Sequence, residues 1–159
     1  MNKIEVIYVG DESYPTNCYI IYDEDKNGVL IDPGFEGEKI IEKIKELSVD
    51  VKKIVLTHCH IDHFSVVDMV KDYTKAEVMI HENDRGGIDD TNKACFFHFP
   101  DIVKPKLTSN DVTPLKDGDK ITVRRYCTWG YPLSRAYEWL YMSLWRKYES
   151  AIYWWYYIS

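Results

Sequence analysis

Apolar residues change their spacing several times along the first 123 positions, and each change marks an element. Lys3–Val9 alternates apolar and polar, with Ile4, Val6 and Tyr8 set against Glu5 and Ile7, and predicts a strand. Gly10–Thr16 holds glycine, aspartate, serine and proline and predicts a loop. Asn17–Tyr22 predicts a second strand. Asp23–Gly28 ends in Asn-Gly, a strong hairpin signal, and Val29–Ile31 predicts the returning strand, closed by Asp32-Pro33-Gly34. Glu36–Leu47 places Ile40, Ile41, Ile44 and Leu47 at helical spacing with charges opposite. Lys53–Leu56 and Glu77–Ile80 are short apolar runs and predict buried strands. Ser65–Tyr73, with Val66, Val67, Met69 and Val70, predicts the helix between them. Arg85–Lys106 predicts a long irregular loop able to cover a site. Val112–Leu115 and Lys120–Val123 flank Lys116-Asp117-Gly118-Asp119 and predict a hairpin. Alternating strands and helices make the fold class α/β, a layered sandwich.

After Val123 the pattern breaks. Residues 124–159 hold all five tryptophans and eight of the thirteen tyrosines, with no histidine or aspartate. They carry five basic residues against two acidic, whereas residues 1–123 carry fifteen against twenty-four. No helical or strand period organises the aromatics, and Tyr153-Trp154-Trp155-Tyr156-Tyr157 is an aggregation liability if exposed. The expected organisation is one folded segment over 1–123 and an aberrant tail over 124–159.

The chemistry lies in Thr57-His58-Cys59-His60-Ile61-Asp62-His63, directly after the strand at Lys53–Leu56. Strand ends are where open α/β sheets place their chemistry. His58 and His60 are two apart and point the same way in an extended segment, so they can hold one metal. Asp62 and His63 are adjacent and can face a second. Imidazole with carboxylate suits zinc or iron rather than calcium. Cys59 is expected to point away as a small buried filler.

His58-Cys59-His60-Ile61-Asp62-His63 matches the H-x-H-x-D-H signature of the metallo-β-lactamase superfamily, which this chain resembles. Asn17–Ile21, Val29–Gly34 and the stretch around Lys116–Asp119 also resemble it, especially its glyoxalase II-like hydrolases, over residues 1–123. The resemblance implies an αββα sandwich of which this chain carries the N-terminal half. It implies zinc, two per site, with iron or manganese as alternatives, and metal ligands His58, His60, Asp62 and His63. Asp62 is also assigned as catalytic. A small-molecule ester, thioester or amide would be hydrolysed by a metal-bound hydroxide. Asp32 is implied to stand beside the metals, although a turn aspartate bonding backbone N–H groups is an equal reading. His81 recurs in the family without being a primary ligand, and His98, among aromatics, reads as a lid or core residue. The family usually has glycine where Phe64-Ser65 stand, so the entrance to the following helix is expected to differ.

In intact relatives a later histidine completes each metal and an aspartate lies between them. Here two ligands per metal remain. Back-translation of the tail bears on this. Shifted one nucleotide forward, codons for Pro132–Met142 can spell H-S-P-G-H-T-S-G-S-I-C, which matches the family's third-histidine segment. Glu149–Ile158 can spell K-V-L-F-T-G-G-T-I-F, close to the family's V-L-F-T-G-D but without its aspartate. A reading-frame slip near Val123–Tyr126 is therefore expected, in preference to an aromatic binding tail.

A net charge of −6 argues against a nucleic-acid or anionic-membrane partner. Cysteines 18, 59, 95 and 127 form no CxxC pair, and neither a signal peptide nor an apolar run of 18 residues is present, so a cytoplasmic protein is expected. The competing expectations are a diiron redox protein of the same fold and a non-catalytic product. His60 weighs against the first, since the redox branch resembling this chain has glutamate there.

Overall fold

The computed structural model describes residues 3–123 and 127–130. Its main sheet has six strands in sequence order: β1 Lys3–Val9, β2 Thr16–Tyr22, β3 Asn27–Ile31, β4 Asp50–Leu56, β5 Glu77–His81 and β6 Thr113–Leu115. β1, β2 and β3 pair antiparallel, while β3 to β6 run parallel. Helices α1 Gly37–Leu47 and α2 Val67–Thr74 make the crossovers around β4. Among the described residues no helix is long and apolar enough to cross a membrane.

β4 shows why its run is apolar throughout. Ile54 and Leu56 point into the larger core under α1 and α2, and Val55 points into a second cluster on the opposite face. A parallel strand buried on both faces cannot alternate with polar residues. The larger core includes Ile20, Leu30, Ile40, Val67 and Ile80. The smaller one holds Ile21, Val29, Ile31, Met79 and Leu115, joined by Ile121.

Four expectations are corrected. In β1 the deeply buried residues are Ile7 and Val9, whereas Tyr8 is 62% exposed. As the edge strand of the sheet, β1 is covered at its Val9 end by the larger core, and its other face has only Ile4 at the margin of the smaller one. The β2–β3 turn centres before Asn-Gly. The Asp23 carboxylate accepts the Asn27 N–H at 2.8 Å, Lys26 takes φ 66, and Asn27 and Gly28 already belong to β3. Gly28 is required there by packing, since a Cβ would lie 2.4 Å from Val49 Cγ1. Met69, counted in the apolar stripe of α2, is 41% exposed, lying on the helix margin with its Sδ beside Gly37. The predicted hairpin around Lys116–Asp119 is a turn between sheets. β6 joins β5, whereas β7 Lys120–Val123 pairs with β8 Cys127–Gly130 in a separate two-stranded sheet. Gly118, at φ +86, and the Lys116 N–H bond to the Asp119 carboxylate at 2.8 Å set that turn.

β8 lies inside the stretch expected to be an aberrant tail. The expectations for 124–126 and 131–159 fall outside the described residues.

The topology gathers loops. The end of β1, the start of β2 and the ends of β3, β4 and β5 all lie at one edge of the sheet. Residues 10–15, 32–36, 57–66 and 82–99 therefore emerge together.

Candidate metal centre

β4 ends at Leu56 and releases the ligand stretch at that edge. His60 is extended (φ −73, ψ 138) and opens a short 3-10 turn over Ile61–His63, closed by the His63 N–H bond to the His60 carbonyl at 3.0 Å. This turn is shorter than an α-helix, so it swings Asp62 and His63 back towards the two preceding histidines. The His58 ring lies 4.5 Å from that of His60 and 4.1 Å from that of His63, centroid to centroid. Asp62 Oδ2 lies 3.5 Å from His63 Nε2. Cys59 turns the other way, with its Sγ 3.9 Å from the Lys93 carbonyl and packed where a Cβ on Gly87 would stand. Burial, followed by the charge of Asp84, pushes its thiol up to about 11, so it stays protonated as a filler. Among the described residues no three histidine, cysteine, aspartate or glutamate side chains are set around one point as a metal's ligands.

Asp32 organises the histidines. It follows β3 at φ 52, a left-handed conformation that aspartate tolerates better than most residues. Its Oδ1 accepts the Thr57 N–H at 2.8 Å, and its Oδ2 accepts the Thr57 hydroxyl at 2.7 Å and His63 Nδ1 at 3.0 Å. Thr57 Oγ1 also lies 2.9 Å from His58 Nδ1. A hydroxyl has one hydrogen, and this one goes to the carboxylate, so His58 Nδ1–H is the donor in the second contact. In the neutral rings of both His58 and His63 the lone pair is then on Nε2. Asp32 thus bonds a backbone N–H and stands behind the histidines, so its two sequence readings hold together. Thr57 was not singled out from the sequence. Its signal was its place between a strand end and the first histidine.

Burial first, then neighbouring His63 and His60, lowers His58 to about 2. Burial also lowers His60, against the opposing charge of Asp62. Burial would lower His63 too, but the charge and hydrogen bond of Asp32, with the charge of Asp62, together outweigh it and raise its pKa. A ligating imidazole must be neutral. Burial thus favours the neutral form of His58 and His60, whereas the carboxylates beside His63 favour its charged form.

The Pro33-Gly34 turn is clamped to this stretch. The Ser65 hydroxyl donates to the Gly34 carbonyl, and the Val66 N–H donates to that of Pro33 at 3.3 Å. Ser65 is thus used as a tie and Phe64 as core, 1% exposed, and α2 begins only at Val67. His81 accepts the Asn83 N–H at 3.3 Å and faces Asp117 at 3.8 Å. His98 is exposed on the 82–99 loop rather than in the core.

The metallo-beta-lactamase superfamily profile matches residues 12–134. The chain belongs to the metallo-beta-lactamase superfamily. The match runs past Val123, where the resemblance was expected to stop. Hydroxyacylglutathione hydrolase GloC of Haemophilus influenzae is 38% identical over 76 residues, which are 48% of this chain and 35% of that protein. The probable polyketide biosynthesis zinc-dependent hydrolase BaeB of Bacillus velezensis is 37% identical over 77 residues, 48% of this chain and 34% of that one. The matches thus span about a third of these relatives' length. Among solved structures, the BLEG-1 B3 metallo-beta-lactamase aligns with TM-score 0.66 at 25% identity, over 77% of this chain and 57% of that one. TTHA1623 in a di-iron-bound form aligns with TM-score 0.62 at 27% identity, over 74% and 56%.

Proposed function

We propose that this chain carries the metal-binding half of a hydrolase acting on an ester, thioester or amide, with glyoxalase II-like thioesters favoured. The observation that carries the reading is the Asp32–Thr57 network, which fixes Nε2 as the lone-pair atom of the neutral rings of His58 and His63. A purely structural cluster has no need to set both rings in the same tautomer. Carboxylate-backed histidine is the usual arrangement behind a metal.

The donor set fits zinc, and the two curated relatives above are named as hydrolases, one of them zinc-dependent. His58 and His60 would hold one ion, and Asp62 and His63 the other. When bound, the metal supplies Lewis acidity that brings the pKa of water to about 7 and polarises a carbonyl. Asp32 keeps a proton on His63 Nδ1 and orients its ring. Asp62 is the more solvent-open of that pair, with 21% side-chain exposure against 11% for His63, and is our catalytic carboxylate, able to accept a proton from water. The di-iron form of a similar structure makes iron the second metal to test.

Completion of the ligand set is assigned to the alternative reading frame of residues 124–159. The test compares thioester hydrolysis with added zinc by the chain as it stands and by a frame-corrected chain, both confirmed folded. The corrected chain should be active and the present one very weak, because two ligands per ion hold zinc poorly. A His58→Ala/His60→Ala variant should lose zinc. Equal hydrolysis rates, or equal zinc in the variant, would overturn the reading. Sequencing the gene across codons 120–135 checks the slip directly.

A further inference from the structure

Two thiols share one backbone oxygen beside the ligand stretch. The Lys93 carbonyl oxygen lies 3.9 Å from Cys59 Sγ and 3.7 Å from Cys95 Sγ, and both thiols donate to it. Packing fixes the first of them. A Cβ on Gly87 would stand 2.3 Å from Cys59 Sγ and 3.6 Å from Lys93 Cβ, so Gly87 keeps open the place where the thiol and Lys93 meet. Cys59 is buried, whereas Cys95 is partly exposed and is the thiol that small solutes reach first.

The pair is tied to the candidate metal centre twice. Cys59 stands between His58 and His60 in the chain. Ala94, between Lys93 and Cys95, accepts the Ile61 N–H at 2.9 Å through its carbonyl, at the start of the 3-10 turn that carries Asp62 and His63. The segment holding Cys95 is a tight turn. The Asp90 carboxylate accepts the Asn92 and Lys93 N–H groups at 2.9 and 3.2 Å, and the Asn92 carbonyl accepts the Cys95 N–H at 3.1 Å. Cys95 itself takes φ 58, a left-handed conformation that is costly for a residue with a Cβ. Strain of this kind gathers at segments that switch.

We propose that Cys59 and Cys95 are a redox modification site, joined reversibly into a disulfide by a peroxide, and that the bond loosens the ligand stretch. The close fit at Gly87 leaves no room for an oxygen on Cys59, so the peroxide reacts at Cys95. An S–O bond forms, the O–O bond breaks, and the Cys95 hydrogen leaves in water or an alcohol. Cys59 then attacks the Cys95 sulfur. The S–S bond forms, the S–O bond breaks, and the Cys59 hydrogen leaves with the hydroxyl as water. The two thiols are oxidised and the peroxide is reduced. Joining the sulfurs displaces the Lys93 carbonyl that both contact, and with it the neighbouring Ala94 carbonyl that holds Ile61. Only the consequence for zinc rests on the hydrolase reading.

The probe is hydrogen peroxide, added to the reduced full chain. Mass spectrometry of an unreduced digest should show the Cys59 and Cys95 peptides joined, two hydrogens lighter than their sum. Amide exchange at Ile61, followed by NMR, should become about 2–10-fold faster, the worth of one hydrogen bond, and return with dithiothreitol. Zinc content, measured on the same samples, should fall and recover in step. Cys95→Ser should keep the parent's circular dichroism, form no joined peptide and show Ile61 exchange unmoved by peroxide. Cys18→Ser should still form the link. Links to Cys18 or Cys127 in place of the Cys59–Cys95 link, no link at all, or a link that leaves Ile61 exchange unchanged overturns the proposal. A link with faster Ile61 exchange in a chain that holds no zinc even when reduced upholds the switch and overturns the metal reading alone.

Discussion

Asp32 Oδ2 accepts His63 Nδ1 at 3.0 Å, across 31 positions of sequence. The same oxygen accepts the Thr57 hydroxyl, whose own oxygen receives His58 Nδ1. One buried carboxylate at the end of β3 therefore orients two histidines delivered by β4. Asp32→Asn keeps the size and the tolerance of positive φ but loses the charge. Zinc affinity, read by competition with a chromogenic chelator, should fall about 10–100-fold. An unchanged affinity would show that the network is structural only.

His58 and His63 should shape acid and alkaline stability of the metal-free protein in opposite senses. The folded pKa of His58 is about 2, below its ordinary 6.5. Unfolded chains therefore bind the proton first, and its contribution is lost as pH falls below about 6.5. His63 is raised, so its contribution is present below its ordinary pKa and lost as pH rises through the folded value. Urea midpoints measured from pH 4 to 8 should rise with pH less steeply in His58→Gln on the acid side. His63→Gln should remove the loss on the alkaline side.

Gly34 and Gly86 make a contrasting pair. A Cβ at Gly34 would meet the Asp62 backbone oxygen at 2.0 Å, whereas at Gly86 nothing lies within 4 Å. Gly34→Ala should push the Asp62 backbone away, lowering both thermal stability and zinc content. Gly86→Ala should match the parent in both. Parent-like zinc binding by Gly34→Ala would mean that the two loops can part without disturbing the ligands.

Ile54 sits at the centre of β4 with no exposed surface. Ile54→Ala should cost about 2–5 kcal/mol in urea unfolding, the range for a large-to-small core change with a residual cavity. A cost under about 1 kcal/mol would mean that the core collapses around the site.

What the sequence determined by itself was local. The strands and helices at 17–22, 36–47, 53–56 and 77–80 were legible because a run of apolar residues, or one at helical spacing, forces burial of a whole strand or stripe. The candidate ligand stretch was legible because three histidines and an aspartate fall within six positions after a strand. Tertiary structure decided the rest. Whether β6 and β7 pair with each other or part into two sheets depends on which neighbour offers a free edge, and β5 offered one to β6. Which face of β1 is buried depends on what covers an edge strand. The Asp32–Thr57–histidine network and the Tyr14–Phe99 ring contact join residues 25 to 85 positions apart, from Asp32 with Thr57 to Tyr14 with Phe99. Such contacts arise only when parallel strands carry their ends to a common edge. No periodicity along the chain encodes that distance, so these features became visible only in the fold.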